Sequence, residues 1–200
     1  LADQNQLIYH SEYTINSFTL NSDLNHIIEQ CKSENRASQR ELYFLTIAKF
    51  KLVLRRYCQE TNDAQDIIQS TYLRIFECIH QFDAQKGDFY HWANRILINE
   101  FFKLMRSRKK VIMLPDESID EEYSLQFNWN KFTLEEVQQV IKSMNETQSI
   151  LLHLYYIEQY NFSELSVLYN MKESRIRGSI SRARKAFELI WNNKFNHQVY

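Results

Sequence analysis

The sequence predicts an all-α protein of two helical domains. Three observations carry this. The 200-residue chain has two Gly and one Pro, too few turn residues for the close-set reversals of an all-β fold. Leu, Ile, Gln, Glu, Lys and Arg recur at helical spacing. The patterning breaks once, in an acidic strip at 111–131 that separates two patterned tracts. The expected organisation is an extension at 1–21, a first domain at 22–110, a flexible acidic linker at 111–131, a second domain at 132–191 and a tail at 192–200.

Residues 1–20 are polar and aromatic without a period and read as an extension. From Ser22 the pattern Leu24, Ile27, Ile28, Cys31 predicts a first helix. A second follows Ser38, with Glu41 at the reciprocal capping position, and runs to about Tyr57. Asn62, with Gln65 three residues on, caps a third. Its Ile67, Ile68, Thr71, Tyr72, Ile75, Phe76 and Ile79 form one stripe, with Asp66, Gln69, Ser70, Arg74 and Glu77 facing outward. Phe82 to Asp88 is a loop, and Asp88 is the N-cap of a fourth helix from Phe89 to about Arg108. That helix turns Trp92, Ile96, Leu97, Phe101 and Leu104 inward. Arg95, Asn99, Lys103 and Arg106 share its other face.

Beyond Pro115 and the linker, Thr133 with Glu136, Asn145 with Gln148, and Asn161 with Glu164 have capping-box spacing. They divide the second domain into helices near 134–143, 146–158, 162–169 and 173–191. The last two, joined at Asn170-Met171-Lys172, have helix-turn-helix spacing. Asn170 stands where a left-handed residue is needed.

The net charge of -1 hides an uneven distribution. Arg95 to Lys110 holds six bases and one acid, Lys172 to Lys185 six bases and one acid, and Val111 to Asn130 five acids and no base. Basic patches on helices suit a polyanion, and the acidic block suits a solvated or charge-mimicking linker. Cys31, Cys58 and Cys78 lack zinc-ligand spacing and no His pair supports a site, so no metal or cofactor is expected. The thiols read as reduced, in a cytoplasmic protein. There is neither a charged-then-apolar leader nor an apolar run able to span a bilayer, so no membrane insertion is expected. No nucleophile, base or phosphate loop accompanies the carboxylates Asp63, Asp66 and Glu77, so the protein is not expected to be an enzyme. These acids read as solvated or partner-facing, and His153 as a half-buried core residue.

On the helix from Glu173, the outward Ser174, Arg175, Arg177, Gly178, Ser181 and Arg182 can contact guanine edges or phosphates. Ile176, Ile180 and Ala183 keep an inner stripe. The fourth helix combines Phe89, Tyr90 and Trp92 with a basic face, a mixture that can stack on unpaired bases, though core aromatics beside a solvated basic face would look the same.

The motifs D-x-x-D-I-I-Q from Asp63, F-D-x-x-K-G-x-F-x-x-W from Phe82 and R-I-x-x-N from Arg95 occur in one order. With the helix-turn-helix beyond, they resemble regions 2 and 4 of bacterial RNA polymerase sigma factors of the extracytoplasmic-function (ECF, sigma-70) group. Residues 22–110 resemble region 2 and 132–191 region 4, about three-quarters of the chain. The resemblance implies a sigma subunit that binds core polymerase, recognises and melts promoter DNA and directs transcription initiation. It implies that Asp66, Gln69 and Arg74 face the beta-prime clamp helices, and that region 4 rests on the beta flap. The loop from Phe82 through Lys86 and Asp88 to Phe89, with Trp92, would capture a flipped minus-ten base. Arg95, Asn99, Lys103 and Arg106 would meet the DNA just upstream. Ser174, Arg175, Arg177, Ser181 and Arg182 would face the minus-thirty-five element. An anti-sigma factor is a further implied partner. The family usually has Glu at Ser70, Asp at Lys103, Gly at Asn170 and Ser at Lys172. These departures suit a sigma whose own promoter reading is assisted by a recruiting DNA-targeting protein, for instance an RNA-guided one. The alternative is a stand-alone helix-turn-helix regulator that never engages polymerase, which leaves 63–110 without a purpose.

Overall fold

A computed structural model describes residues 17–58, 61–108 and 132–195. The described secondary structure is helical throughout. The chain divides into two compact units, at Leu104/Met105. The expected extension before Ser17, the linker at 111–131 and the end of the tail lie outside the described residues.

In the first unit, α1 (Ser17–Lys32) and α2 (Arg36–Leu54) form a helical hairpin. α1 begins before the expected Ser22, because a helix satisfies its own backbone and can run past its apolar stripe. The reversal places Glu34 at φ 59. Asn35 then caps α2, its side chain accepting from the Ala37 and Ser38 amides at 3.0 and 3.2 Å. This corrects the reading of Ser38 as the cap. Ser38 lies inside the first turn, where its amide is already taken by Asn35. Leu24, Ile27, Ile28 and Cys31 of α1 are buried, as are Leu42, Thr46, Phe50, Val53 and Leu54 of α2.

α3 (Thr61–Cys78) packs on α2 and ends in a 3-10 turn, Ile79–Gln81, that touches α1. The helix begins at Thr61, so Asn62 is a helical residue and not the cap. The predicted stripe is buried from Ile67 to Ile79, with Phe76 half-buried. Asp63 departs from expectation: only 2% of it is exposed, so it belongs to the interior and not to a solvated face. Within this core Thr46 and Tyr72 share a 2.6 Å hydroxyl contact, and the Tyr72 hydroxyl donates to the Tyr43 carbonyl at 3.2 Å. Burial raises the Tyr72 hydroxyl well above the ordinary tyrosine value.

α4 (Phe89–Ser107) buries Phe89, Ala93, Leu97, Ile98, Phe101, Phe102 and Met105. Trp92, Ile96 and Leu104, expected inside, are half-buried. The buried set is centred one position further round the helix than the spacing alone indicates.

In the second unit, α5 (Leu134–Ser143) starts with a complete capping box between Thr133 and Glu136. α6 (Glu146–Leu152) is capped by Asn145, which accepts from the Thr147 amide at 2.9 Å. The expected helix at 146–158 changes pitch after Leu152. Residues His153–Ile157 form a π-turn, with the Glu158 amide donating to the His153 carbonyl at 3.0 Å. His153 is half-buried, as expected, and its Nδ1 lies 2.9 Å from the Ser149 carbonyl.

α7 (Phe162–Tyr169) has a second complete capping box, between Asn161 and Glu164. α8 (Glu173–Phe195) runs past the expected end at 191. Val137, Val140, Met144, Leu152, Ala183 and Phe187 form the core between α5, α6 and α8. Leu165, Leu168, Ile176 and Ile180 are buried where α7 meets the first half of α8.

The α7–α8 turn is set by Asn170, at φ 52 and ψ 48. The Met171 amide reaches back to the Ser166 carbonyl at 3.0 Å and the Asn170 amide to Val167 at 3.2 Å, the paired closure of a Schellman turn. The Ser166 hydroxyl donates to the Met171 carbonyl at 2.7 Å. Asn170→Ala, forced into the left-handed region, is expected to cost about 1 kcal/mol. Asn170→Gly is expected to be neutral or stabilising by a few tenths. Urea unfolding of the full chain measures both.

Candidate polymerase and nucleic-acid interfaces

The outward residues of α3 share one face. Asp66, Gln69, Arg74 and Glu77 are exposed and Ser70 is half-buried. Arg74 donates to Glu77 at 3.0 Å, one turn on. This exposed pair contributes little to stability and serves to hold the guanidinium in place. At 100° per residue, Leu73 lies within this face, between Gln69 and Asp66, and it is 60% exposed. The sequence reading passed over Leu73. Its signal was a Leu two positions off the buried stripe, flanked by the motif's polar residues.

Beside this face a groove of about 740 Å³ runs between α2 and α3. Tyr43, Ile47, Ile68 and Leu73 give it apolar walls, and Lys51, Arg55 and Gln69 a polar rim. Cys58 lies at its margin and is half-buried, whereas Cys31 and Cys78 are buried.

The loop at 82–88 rests on an aromatic cluster. Phe82 and Phe89 meet edge-on at 5.5 Å between ring centroids, and Trp92 packs on them at 5.5 and 5.7 Å. Phe82 and Phe89 are buried and form the floor under the loop, while Trp92 is half-buried. Asp83 closes the loop on itself, its carboxylate accepting from the Gln85 amide at 2.9 Å and pairing with Lys86 at 3.3 Å. The backbone donor, and then Lys86, hold the Asp83 carboxyl below its ordinary value. Lys86 and Asp88 are exposed, and the Asp88 carboxylate accepts from the His91 amide at 3.2 Å, as an N-cap should. Further along α4, Asn99, Lys103 and Arg106 are exposed and Arg95 half-buried. Lys103 pairs with Glu100 at 3.1 Å.

On α8 the arginines are not all at the crest. At 100° per residue the outermost line is Ser174, Gly178, Ser181 and Lys185. Arg177 stands on one flank, and Arg175 and Arg182 on the other. Ser174 and Arg177 are exposed, and Arg175, Ser181 and Arg182 are half-buried. Arg182 donates to the Ser179 hydroxyl at 3.1 Å. Arg177 pairs with Glu173, its Nε 3.1 Å from the carboxylate, and its guanidinium lies 3.9 Å from the centroid of the Phe162 ring. Ahead of α8, the Lys172 carbonyl accepts from the Arg175 and Ile176 amides, and lysine offers no side-chain acceptor for the remaining N-terminal amides. A Cβ added at Gly178 would meet only the Arg182 side chain, at 3.5 Å, and one added at Gly87 nothing within 4 Å. Neither glycine has positive φ.

Among the described residues no cluster of His, Cys, Asp or Glu could hold a metal ion, and no helix is long and apolar enough to cross a membrane.

A polar helix face carrying an exposed Leu, a capped loop over an aromatic floor and a basic helix-turn-helix are the surfaces this chain offers to partners. Residues 48–111 match the family Sigma-70 region 2. The chain is 23% identical over 161 residues to the ECF RNA polymerase sigma factor SigM of Bacillus subtilis (strain 168), covering 79% of this chain and 96% of that one. The chain thus matches Sigma-70 region 2 over part of its length and is similar to an ECF sigma factor over most of it. Two solved structures are similar at lower identity. One is CnrH in complex with the cytosolic domain of CnrY, at 17% identity, covering 84% of this chain and 96% of that one, with a TM-score of 0.44. The other is the sigma factor RpoE in complex with the anti-sigma factor NepR from Bartonella quintana, at 16% identity, 78% and 97% coverage and a TM-score of 0.44.

The thiols offer a check on the groove. Burial first, then the Glu41 charge, push the Cys31 thiol up from 9.0 to about 11. A thiol reagent at neutral pH is expected to modify Cys58 first, with Cys31 and Cys78 reacting only as the first unit opens. Because the fold favours neutral Cys31, its contribution to stability is intact below pH 9 and is lost as pH rises through about 11. Mass spectrometry of partly labelled protein and unfolding curves across that window measure the two effects.

Proposed function

We propose that this protein is a sigma factor and binds the beta-prime clamp helices of core RNA polymerase through the α3 face of Asp66, Gln69, Leu73 and Arg74. The observation that carries this is Leu73, a large apolar side chain displayed within a polar motif. A lone exposed Leu is ordinary, but this one borders an apolar groove. Burying it under a partner contributes about 1.5–3 kcal/mol, and the charges around it set orientation. Residues 22–110 act as region 2 and 132–191 as region 4, which rests on the beta flap. The intervening 111–131 follow the RNA path. The protein works in the cytoplasm, without catalysis of its own. An anti-sigma factor would compete for the same α3 face.

On the DNA side, Lys86, Asp88 and Trp92 take the flipped minus-ten base, while buried Phe82 and Phe89 hold the loop's shape. Arg95, Asn99, Lys103 and Arg106 hold the strand upstream. Ser174, Arg175, Arg177, Ser181 and Arg182 face the minus-thirty-five element. Asn170 and Lys172, at the entrance to α8, support weakened reading there and a share of the targeting by a recruiting, RNA-guided DNA-binding protein. Sequencing the transcripts that core polymerase starts with this chain tests the whole reading. Defined start sites are expected, and none above core polymerase alone would leave a stand-alone regulator.

Two substitution sets test the parts. Leu73→Ala is expected to weaken core binding about tenfold, and sign reversal at Asp66 and Arg74 to weaken it further, with helicity preserved. Fluorescence anisotropy with labelled chain measures this, and unchanged affinity overturns the interface. In the loop, Lys86→Ala and Asp88→Asn are expected to reduce open-complex formation more than closed-complex binding. Asn is chosen because it keeps the α4 cap, whereas Ala would also cost about 1 kcal/mol of helix stability. A fluorescent base analogue in the minus-ten strand reports melting directly.

A further inference from the structure

On α8 one exposed arginine is held between a ring and a carboxylate. Arg177 sits one turn into α8 beside Glu173, and Phe162, the first residue of α7, lies under its guanidinium at 3.9 Å. Phe162 itself stacks on Tyr155 of the π-turn, with ring centroids 4.9 Å apart and planes at 26°. Tyr155 in turn lies 5.7 Å from the Arg184 guanidinium, lower on α8. The aromatic step that supports Arg177 is therefore tied to α8 at two heights. Glu173 engages the Nε and Nη2 groups, which leaves Nη1 and the second Nη2 hydrogen unengaged among the described residues. Those are the donors that an end-on bidentate contact to guanine O6 and N7 requires. The opposite flank differs: Arg175 is half-buried and Arg182 is turned toward Ser179.

We infer that Arg177 is the base-reading arginine of α8 and that Phe162 and Glu173 are its positioning residues. This rests on α8 facing the minus-thirty-five element. An exposed arginine carries much rotamer entropy, which a base contact must overcome. A ring beneath and a carboxylate beside remove most of that freedom before DNA arrives. Recognition helices read bases through their first turns, and Arg177 is there. The recognised pair is guanine-containing. Glu173, on the same flank, can also accept from a cytosine amino group at the neighbouring pair.

The test uses the full chain with core polymerase and duplex DNA randomised upstream, with base preference read by sequencing bound molecules at two salt concentrations. Arg177→Ala is expected to relax guanine preference at one base pair by about 5- to 150-fold. Phe162→Leu is expected to relax it at the same pair by about 2- to 5-fold, and Glu173→Gln by about twofold. Phe162→Tyr, which keeps the ring, is expected to restore preference, and all variants to keep wild-type helicity and salt dependence. Loss of preference in Arg177→Ala but not in Phe162→Leu or Glu173→Gln overturns the positioning role and leaves the reading of α8 intact. Full preference in Arg177→Ala overturns Arg177 as the reader, and with it this inference. A uniform loss across all sequences with a shallower salt slope makes Arg177 a phosphate contact and overturns the inference too.

Discussion

Every described reversal of this chain is made without a left-handed glycine. The backbone enters the left-handed region at Glu34, Gln159 and Asn170, and at no glycine. Each such residue opposes the fold by about 1–2 kcal/mol, so the neighbouring hydrogen bonds have to offset the strain. They do so in a recurring way, with asparagine as the main instrument. Asn35 takes two amides of α2 immediately after Glu34, Asn161 caps α7 two residues after Gln159, and Asn170 closes α7 by its own conformation. The angle between α7 and α8, and hence the direction in which the basic helix leaves α7, is set at Asn170.

This economy explains what was legible in the sequence. Thr133 and Asn161 were readable as caps because each stands directly before an apolar-periodic run and has its Glu three residues on. The same spacing at Ser38–Glu41 misled, because that pattern also arises by chance inside a helix. Asn35 was the stronger cap, hidden by following a residue that no turn rule favours. The π-turn had no signal at all, since its run His153–Ile157 fits a helix stripe as well as any other. Asp63 looked solvated on charge alone, and its burial depends on neighbours that spacing does not reveal.

At the candidate site, the faces were legible and the roles within them less so. The polar residues of α3 and the capped loop were visible as motifs. Leu73 was not, because sequence periodicity sorts residues into inside and outside but says nothing of which outside residues meet a partner. Phe82 and Phe89 show the converse case. An aromatic in such a motif can stack on a base or pack inside, and burial of these two sets them beneath Trp92 and the Asp83–Lys86 turn. On α8 the arginines looked equivalent by composition. Packing differentiates them, through one ring and one carboxylate on one side and a buried serine on the other.

The two glycines remain. Neither adopts a conformation that other residues avoid, and a Cβ at either would find room within the protein. Folding therefore gives no reason to keep them, and a mid-helix glycine such as Gly178 opposes the fold by about 1 kcal/mol relative to alanine. What each provides is a missing atom at the surface, one in the loop over the aromatic floor and one on the crest of the basic helix. Whatever approaches there can come nearer the main chain than any side chain would allow. In both places the main chain stays open to close approach from outside.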